Sequence, residues 1–359
     1  MSLTGFGVLQ VEPTDQCNLR CRMCAPHFEG WEQIHAVPKG YLSIPLWERI
    51  VQQFVEDKVI FDHIIFQWLG DPLLHPQIVD ILRIAVQKLS SQVNYFRMDT
   101  NAILLTAERT AQICELARSL SIPILLVFTI DAHTPLVYKM VKGTNSLLLV
   151  RRNIVQLLKR RFALGADCHL NVQIQFVVQE GNSHESRSFL QYWKDVFSDF
   201  GGHWHDELMF KRLSVGGGTM GQAKADSLYE KSIAQAEIKS EKYDNLHVLC
   251  WNKRPWQEDD AHHGGRDACP GPWMTPVIRH DGTLIVCCSD LRGELQLGSL
   301  KNTSFSGLWL GEKAQKIRDQ HRKKIFEGVC KSCGGINWYD LTPDRIQMLD
   351  RHATKFSKQ

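Results

Sequence analysis

Thr14-Asp15-Gln16-Cys17-Asn18-Leu19-Arg20-Cys21-Arg22-Met23-Cys24 is the stretch on which the reading of this chain turns. Ahead of it, Gly7 to Glu12 has a short strand pattern closed by Pro13, and Pro13 to Asp15 marks a loop, so three thiols follow a strand on one tight turn. A cubane [4Fe-4S] cluster has four iron corners, each needing a ligand that is usually a thiolate, and three ligands from one loop leave one iron for another group. Structural zinc is the bland alternative. It takes four ligands, and its knuckles usually come as two Cys-x2-Cys pairs.

Outward from that loop the chain alternates. Strand-like runs recur at His63 to Trp68, Tyr95 to Met98, Ile124 to Ile130, Asn171 to Val178 and Glu207 to Leu213. Between them lie helical patterns over Pro45 to Asp57, Gln77 to Leu89, Thr106 to Ser119, Ser146 to Arg161 and Ser183 to Phe200, with apolar residues at three and four spacing. Strand, helix, strand implies parallel strands with right-handed crossovers. The expected architecture is α/β, a partial (β/α)6 TIM-like barrel with a small C-terminal β-hairpin-plus-helix iron–sulfur domain. The expected division is a barrel over 1–216, a bridging insertion over 217–268, the cluster domain over 269–340 and a tail over 341–359. In the bridge, Ala223 to Lys242 reads as a polar, mostly exposed helix; beyond it Pro276 to Val286 reads as a hairpin around Asp281-Gly282, and Phe305 to Phe326 as one helix.

Composition narrows the functional class. The 359 residues carry 42 basic and 39 acidic side chains for a net charge of +3, with no basic footprint for nucleic acid. No apolar run approaches the ~20 residues of a membrane span, and no secretory signal is read, so a cytoplasmic location is expected. Eleven cysteines are unusual here. A long chain with an odd count and no signal favours thiolate ligation over a disulfide framework.

The first Cys loop, placed after the first strand, resembles that of the radical S-adenosylmethionine (SAM) enzymes. The resemblance continues at Leu69-Gly70-Asp71-Pro72-Leu73-Leu74-His75-Pro76 after the second strand, Thr100-Asn101-Ala102-Ile103-Leu104-Leu105-Thr106 after the third and Thr129-Ile130-Asp131-Ala132 at the fourth. It implies that Cys17, Cys21 and Cys24 bind three irons of a [4Fe-4S] cluster while SAM chelates the fourth. Met23 is then expected against adenine, and Gly70, Asp71, Pro72, Asn101, Thr129 and Asp131 in the SAM site. Two positions depart from the family pattern, Asp71 where Glu is usual and Ala102 where Gly is usual. Asp keeps the charge with a shorter reach, so SAM binding is expected to survive.

Cys269-x17-Cys287-x42-Cys330-x2-Cys333 completes four further thiolates, and Gly282 to Cys287 has a Gly-x4-Cys form. The spacing looks like the "twitch" version of the SPASM extension of radical SAM enzymes, which carries one auxiliary [4Fe-4S] cluster; zinc is the alternative for such a set. Cys114 and Cys168 read as buried inert thiols. Cys250 and Cys288 are weak candidates for a hydrogen-atom donor, with a structural reading favoured for both. His203-Trp204-His205 and His262-His263 read as packed or solvated, and Trp251, Trp256 and Trp273 as seals between domains. Lys159-Arg160-Arg161 reads as cations offsetting a helix dipole.

The resemblance implies reductive cleavage of SAM and hydrogen abstraction from a substrate carbon, with a one-electron reductant such as flavodoxin or ferredoxin as partner. A small polar substrate of sugar or aminocyclitol type is expected, its carbinol oxidised with the auxiliary cluster as electron acceptor. The alternatives are an epimerase or a peptide maturase. Many peptide-modifying relatives carry an N-terminal leader-binding domain, for which the residues ahead of Cys17 leave little room.

Overall fold

Period-two alternation and crossover helices produce the layers of this molecule, a computed structural model that describes residues 3–27, 39–201, 204–213, 222–243, 246–251, 269 and 271–333. Strands β1 (Leu3–Val11), β2 (Val59–Phe66), β3 (Tyr95–Thr100), β4 (Ile124–Thr129), β5 (Leu170–Val178) and β6 (Asp206–Arg212) run parallel in sequence order. Helices α1 (Ile44–Glu56), α2 (Ile78–Leu89), α3 (Ala107–Arg118), α4 (Pro135–Lys142), α5 (Leu147–Leu164) and α6 (Ser186–Asp199) form the crossovers. This is the expected partial barrel, and the sheet does not close.

Helix α4 and the two strands of the bridge go beyond the sequence reading. Helix α4 follows β4 as two turns, started by the Thr134 hydroxyl, which accepts from the Val137 N–H, with Pro135 in the first turn and Gly143 at φ +80° past the end. The bridge adds α7 (Gln222–Gln235), β7 (Glu241–Tyr243) and β8 (Leu246–Cys250). Strand β8 pairs parallel with β6, so the bridge supplies a seventh parallel strand, edged by antiparallel β7. Helix α7 is shorter than the polar stretch and not mostly exposed, because Ala225, Tyr229 and Ser232 are buried.

Past the bridge come α8 (Gly271–Met274), β9 (Val277–Ile278), β10 (Thr283–Ile285) and β11 (Gln296–Ser299), then α9 (Phe305–Trp309), α10 (Glu312–Arg322) and α11 (Val329–Ser332). The hairpin turns at Gly282, φ +84°. Strand β9 pairs parallel with β1, so the C-terminal unit continues the barrel sheet in the order β11-β10-β9-β1-β2-β3-β4-β5-β6-β8-β7. The single helix expected over 305–326 is two, broken at Gly311, where a Cβ would lie 2.6 Å from the Gly307 carbonyl oxygen. The tail over 341–359, residues 334–340, His203, Trp256 and His262-His263 lie outside the described residues, as does most of the bridge beyond Trp251.

The sheet has two unlike faces. Leu9, Val11, Ile64, Phe66, Phe96, Met98, Phe128, Ile174, Leu208 and Phe210 face the helices in one core. Each such side chain, fully buried, contributes about 1.5–3 kcal/mol. The other, concave face carries His63, Tyr95, Arg97, Asp99, Gln173, Gln175, Glu207 and Lys211 at the alternate positions of β2, β3, β5 and β6. Cys114 and Cys168 are fully buried on the helix side. Among the described residues no helix is long and apolar enough to cross a membrane.

Arg161 is not a solvated helix-end cation. It is fully buried, its two terminal nitrogens donate to Asp206 Oδ1 and Oδ2 at 2.7 and 2.6 Å, and it stacks 4.2 Å from the Trp204 ring centroid. Asp206 also accepts the Val172 N–H at 2.8 Å, tying α5 to β5 and β6. Removing one partner leaves an uncompensated buried charge. Asp206→Ala is expected to cost about 3–5 kcal/mol, read as a lowered urea midpoint, and Arg161→Met with Asp206→Leu less than the sum of the single changes.

Candidate functional site

Three loops at the carboxyl ends of β1, β2 and β3 converge. The Gly70-Asp71 turn lies against the Cys loop so closely that a Cβ on Gly70 would sit 2.2 Å from the Thr14 carbonyl oxygen and 2.6 Å from that of Gln16. The Asp71 N–H donates to the Gln16 carbonyl at 2.8 Å. Its buried carboxylate accepts from the Leu73 N–H (3.0 Å), the Thr100 hydroxyl (2.9 Å) and the Asn101 N–H (2.7 Å). Burial raises the Asp71 pKa, and these donors pull it back. Pro72 opens a short 3-10 turn beneath it. Asn101 Nδ2 donates to Asn18 Oδ1 at 2.7 Å, so the β3 loop reaches the Cys loop as well. Ala102, at the family's glycine position, has φ +61°, which explains why glycine is usual there.

On the far side, the Arg20 and Arg22 N–H groups donate to the Lys142 and Val141 carbonyls of α4 at 3.2 and 3.1 Å. Lys142, 2% exposed, pairs with the fully buried Asp131 carboxylate at 2.5 Å. Asp131 also accepts the Val177 N–H at 2.7 Å, so this candidate SAM residue is committed to the protein and braces the Cys loop from behind. Thr129 is half-buried at the end of β4, paired with Gln175. Met23 is half-buried, and Gln179 Nε2 donates to its sulfur at 2.6 Å.

The three thiols fit a cluster site. Burial pushes Cys17 up to about 11, the Asp71 carboxylate adding to the rise, and Cys24 up to about 12, with Cys21 and Cys17 adding. Cys21 is raised by burial against the pull of the Lys142 ammonium. Thiols that feel one another's charge in this way need a cation between them to lie together as thiolates.

The second set also converges. Cys269, Cys287, Cys330 and Cys333 line one pocket together with Pro272, Asp290, Leu295 and His321. Four thiols, two of them on and just past α11, around one space fit a cluster bound at all four corners. Cys288 is outside that lining; its neighbouring thiol, together with burial, holds Cys287 well above the usual thiol range. The Cys288 carbonyl accepts Trp68 Nε1 at 3.0 Å, which joins the β2 loop to this unit. Cys250 shares the helix-facing side of β8 and β6 with Phe210 and meets Tyr229 of α7. A hydrogen-donor role for Cys250 is therefore not carried forward, since the barrel interior is on the opposite face.

Several residues of the site escaped the sequence reading. Lys142 belongs to the unread helix α4, Gln179 follows β5, and Trp68 and His321 had no local signal of their role. Thr100 stood inside a motif already quoted, and its hydroxyl immediately before Asn101 was the available clue.

Fold and donor sets define an iron–sulfur protein built on an open α/β barrel. Family models agree: residues 11–168 match the radical SAM superfamily and residues 269–334 the SPASM iron–sulfur cluster-binding domain. The chain belongs to the radical SAM superfamily and carries a SPASM extension. Such proteins bind SAM with a [4Fe-4S] cluster in the first domain and auxiliary iron–sulfur in the second. The tungsten-containing aldehyde ferredoxin oxidoreductase cofactor-modifying protein of Pyrococcus furiosus is 24% identical over 342 residues, covering 90% of this chain and 86% of the relative. Among solved structures, anSMEcpe with bound AdoMet superposes with TM-score 0.63 at 15% identity, over 98% of this chain and 93% of its own. SuiB of Streptococcus suis bound to its precursor peptide SuiA gives 0.56 at 15%, over 92% and 71%.

Reconstituted protein is expected to hold about eight irons, from two four-iron clusters. Cys17→Ala is expected to keep about four and lose SAM cleavage, and Cys330→Ala to keep about four with SAM cleavage retained. Gly70→Ala, forced against backbone, should cost about 1–3 kcal/mol and lower iron content at the first site, measured by iron analysis and a urea midpoint.

Proposed function

We propose that this radical SAM enzyme takes hydrogen from a small polar substrate, of sugar or aminocyclitol type, held on the concave face of the sheet, and oxidises its carbinol carbon. One observation carries the reading: that face sets polar and charged side chains of β2, β3, β5 and β6 among apolar ones such as Ile65, Val127 and Met209, where the opposite face is apolar. Arg97 pairs with Asp99 at 2.6 and 2.7 Å, Gln175 donates to Gln173, and Gln173 donates to Glu207. Lys211 stands beside this array with no carboxylate within salt-bridge distance among the described residues; burial, and then the Arg97 charge, lower its pKa. A face of paired donors and acceptors suits a substrate rich in hydroxyl or amino groups, because an apolar ligand there leaves those groups unsatisfied.

Cys17, Cys21 and Cys24 are the ligands of the SAM-binding cluster in this reading, and Cys269, Cys287, Cys330 and Cys333 those of a single auxiliary one. When bound, SAM and the first cluster supply one-electron chemistry that removes hydrogen from an unactivated carbon, and the auxiliary cluster a place for the electron released on oxidation. Asp71 and Asn101 hold the loops that frame the SAM site. Gln173, Gln175, Glu207 and Lys211 bind and orient the substrate and receive the hydroxyl proton into a hydrogen-bonded array. The description of the Pyrococcus furiosus relative as a cofactor-modifying protein supports a non-peptide target.

The test is anaerobic turnover with SAM and dithionite over a panel of polyols, aminocyclitols and short peptides. The expected result is 5′-deoxyadenosine formed in step with a two-electron-oxidised small molecule, with Lys211→Met lowering kcat/KM about tenfold or more. Deuterium from heavy water in an otherwise unchanged product would instead mark an epimerase, with Cys288 as the remaining thiol candidate. Stimulation by peptides alone would favour the maturase reading, which the peptide-bound SuiB structure keeps in view.

A further inference from the structure

Electrons for SAM cleavage come from outside the chain, and the surface beside the first Cys loop has the composition of a docking site. Helix α4 buries Val137, Tyr138 and Val141 and leaves Leu136 78% and Met140 40% exposed on the turn between them. These two are one helical turn apart and form one exposed strip. Lys139 is exposed between them, and Arg20 and Arg22 project from the Cys loop where their N–H groups bond to the end of this helix. Arg20, Arg22 and Lys139 have no carboxylate within salt-bridge distance among the described residues, whereas Lys142 on the buried side of the same helix is neutralised by Asp131. Cys17, Cys21 and Cys24 lie in the same loop.

Most of the chain's charge is balanced, with a net of +3. Lys139 with Arg20 and Arg22 nonetheless gathers three exposed cations on one helix and the loop bonded to its end. Apolar residues at the centre with charges around them are the arrangement of a transient interface, where the charges steer and the apolar centre holds. The Cys loop, bonded through its Arg20 and Arg22 N–H groups to the end of this helix, makes it a short route for an electron.

We propose that the exposed face of α4 with Arg20 and Arg22 is the docking surface for an acidic one-electron carrier protein, which is oxidised by one electron per encounter as the Cys17, Cys21 and Cys24 site is reduced by one. The proposal rests on the SAM and cluster chemistry of the superfamily and not on the identity of the substrate. Leu136 and Lys139 serve as its probes because neither belongs to the cluster or SAM site.

The experiment uses the reconstituted full chain and an acidic flavodoxin. Zero-length carbodiimide coupling followed by mass spectrometry is expected to join Lys139 to flavodoxin carboxylates. Binding of the flavodoxin, measured by calorimetry at low salt, is expected to weaken about fivefold or more in Lys139→Glu with Leu136→Ser, and in the wild type on raising salt. In that variant, 5′-deoxyadenosine formation driven by reduced flavodoxin should fall by a similar factor, while formation driven by dithionite is unchanged. Unchanged flavodoxin affinity, or cross-links only at other lysines, would overturn the proposal. An equal loss in the dithionite arm would overturn it too, by showing that the variant damages the site itself. Absence of SAM cleavage by the wild type with dithionite would instead remove the cofactor reading on which it stands.

Discussion

The Asp71 carboxylate is the constraint on which the rest of the site depends. It is buried, and its charged form is sustained by the Leu73 and Asn101 N–H groups and the Thr100 hydroxyl, with the Arg109 charge adding to them. Those donors belong to the loops after β2 and β3, while the Asp71 N–H holds the loop after β1 through Gln16. One residue, through its carboxylate and its own N–H, therefore ties three loops together, and the absent Cβ of Gly70 lets them approach. The shorter Asp in place of the family's Glu fits this bracing role, because its carboxylate is drawn back to the backbone of its own loops. Behind the Cys loop the Asp131 and Lys142 pair does the same from the β4 side. The thiols are thus positioned by rigid neighbours and not by their own short loop.

The second constraint is continuity of the sheet. Because β9 pairs with β1, the C-terminal unit is an extension of the barrel. Glu12, fully buried at the end of β1, lies 3.0 Å from His280 Nδ1 and 3.7 Å from Arg279 Nε, so a charge from the barrel is balanced by the hairpin. Trp68 adds a hydrogen bond to the Cys288 carbonyl, and Trp68, Leu69, Val277 and Ile285 share a small apolar cluster at the seam. The two thiol sets are consequently carried on one continuous sheet.

What could be read from sequence was what is local. The strands at His63, Tyr95, Ile124, Asn171 and Glu207 and their crossover helices carry their own periodicity, and the three-Cys loop carries its own spacing. Helix α4 was legible too, in the Thr134-Pro135 start and the Gly143 stop, but two turns give too few repeats for periodicity to register. Strand β8 is five residues in a polar stretch, and only its partner β6 shows why it is a strand. The Arg161 and Asp206 pair joins residues 45 apart, so a cation at a helix end looked like every other one. Partners of this kind are fixed by the fold and leave no local trace.

Alternation within each strand says that two faces differ, but it does not say which faces water. In an antiparallel sheet with one exposed side, the polar face would be surface. Here the polar face is the inside of an open barrel, since helices α1 to α6 cover the apolar one. The charges of Arg97, Asp99, Glu207 and Lys211 then lie in a recess, where each is partly desolvated before any ligand arrives. Burying such groups opposes folding unless they pair, and Arg97 and Asp99 do so. Lys211 has no such pairing among the described residues, and a substrate that brings hydrogen-bond acceptors into the recess recovers what its desolvation lost. The proposed preference for polar substrates and the unequal faces of the sheet therefore rest on the same strand alternation, placed around an open interior.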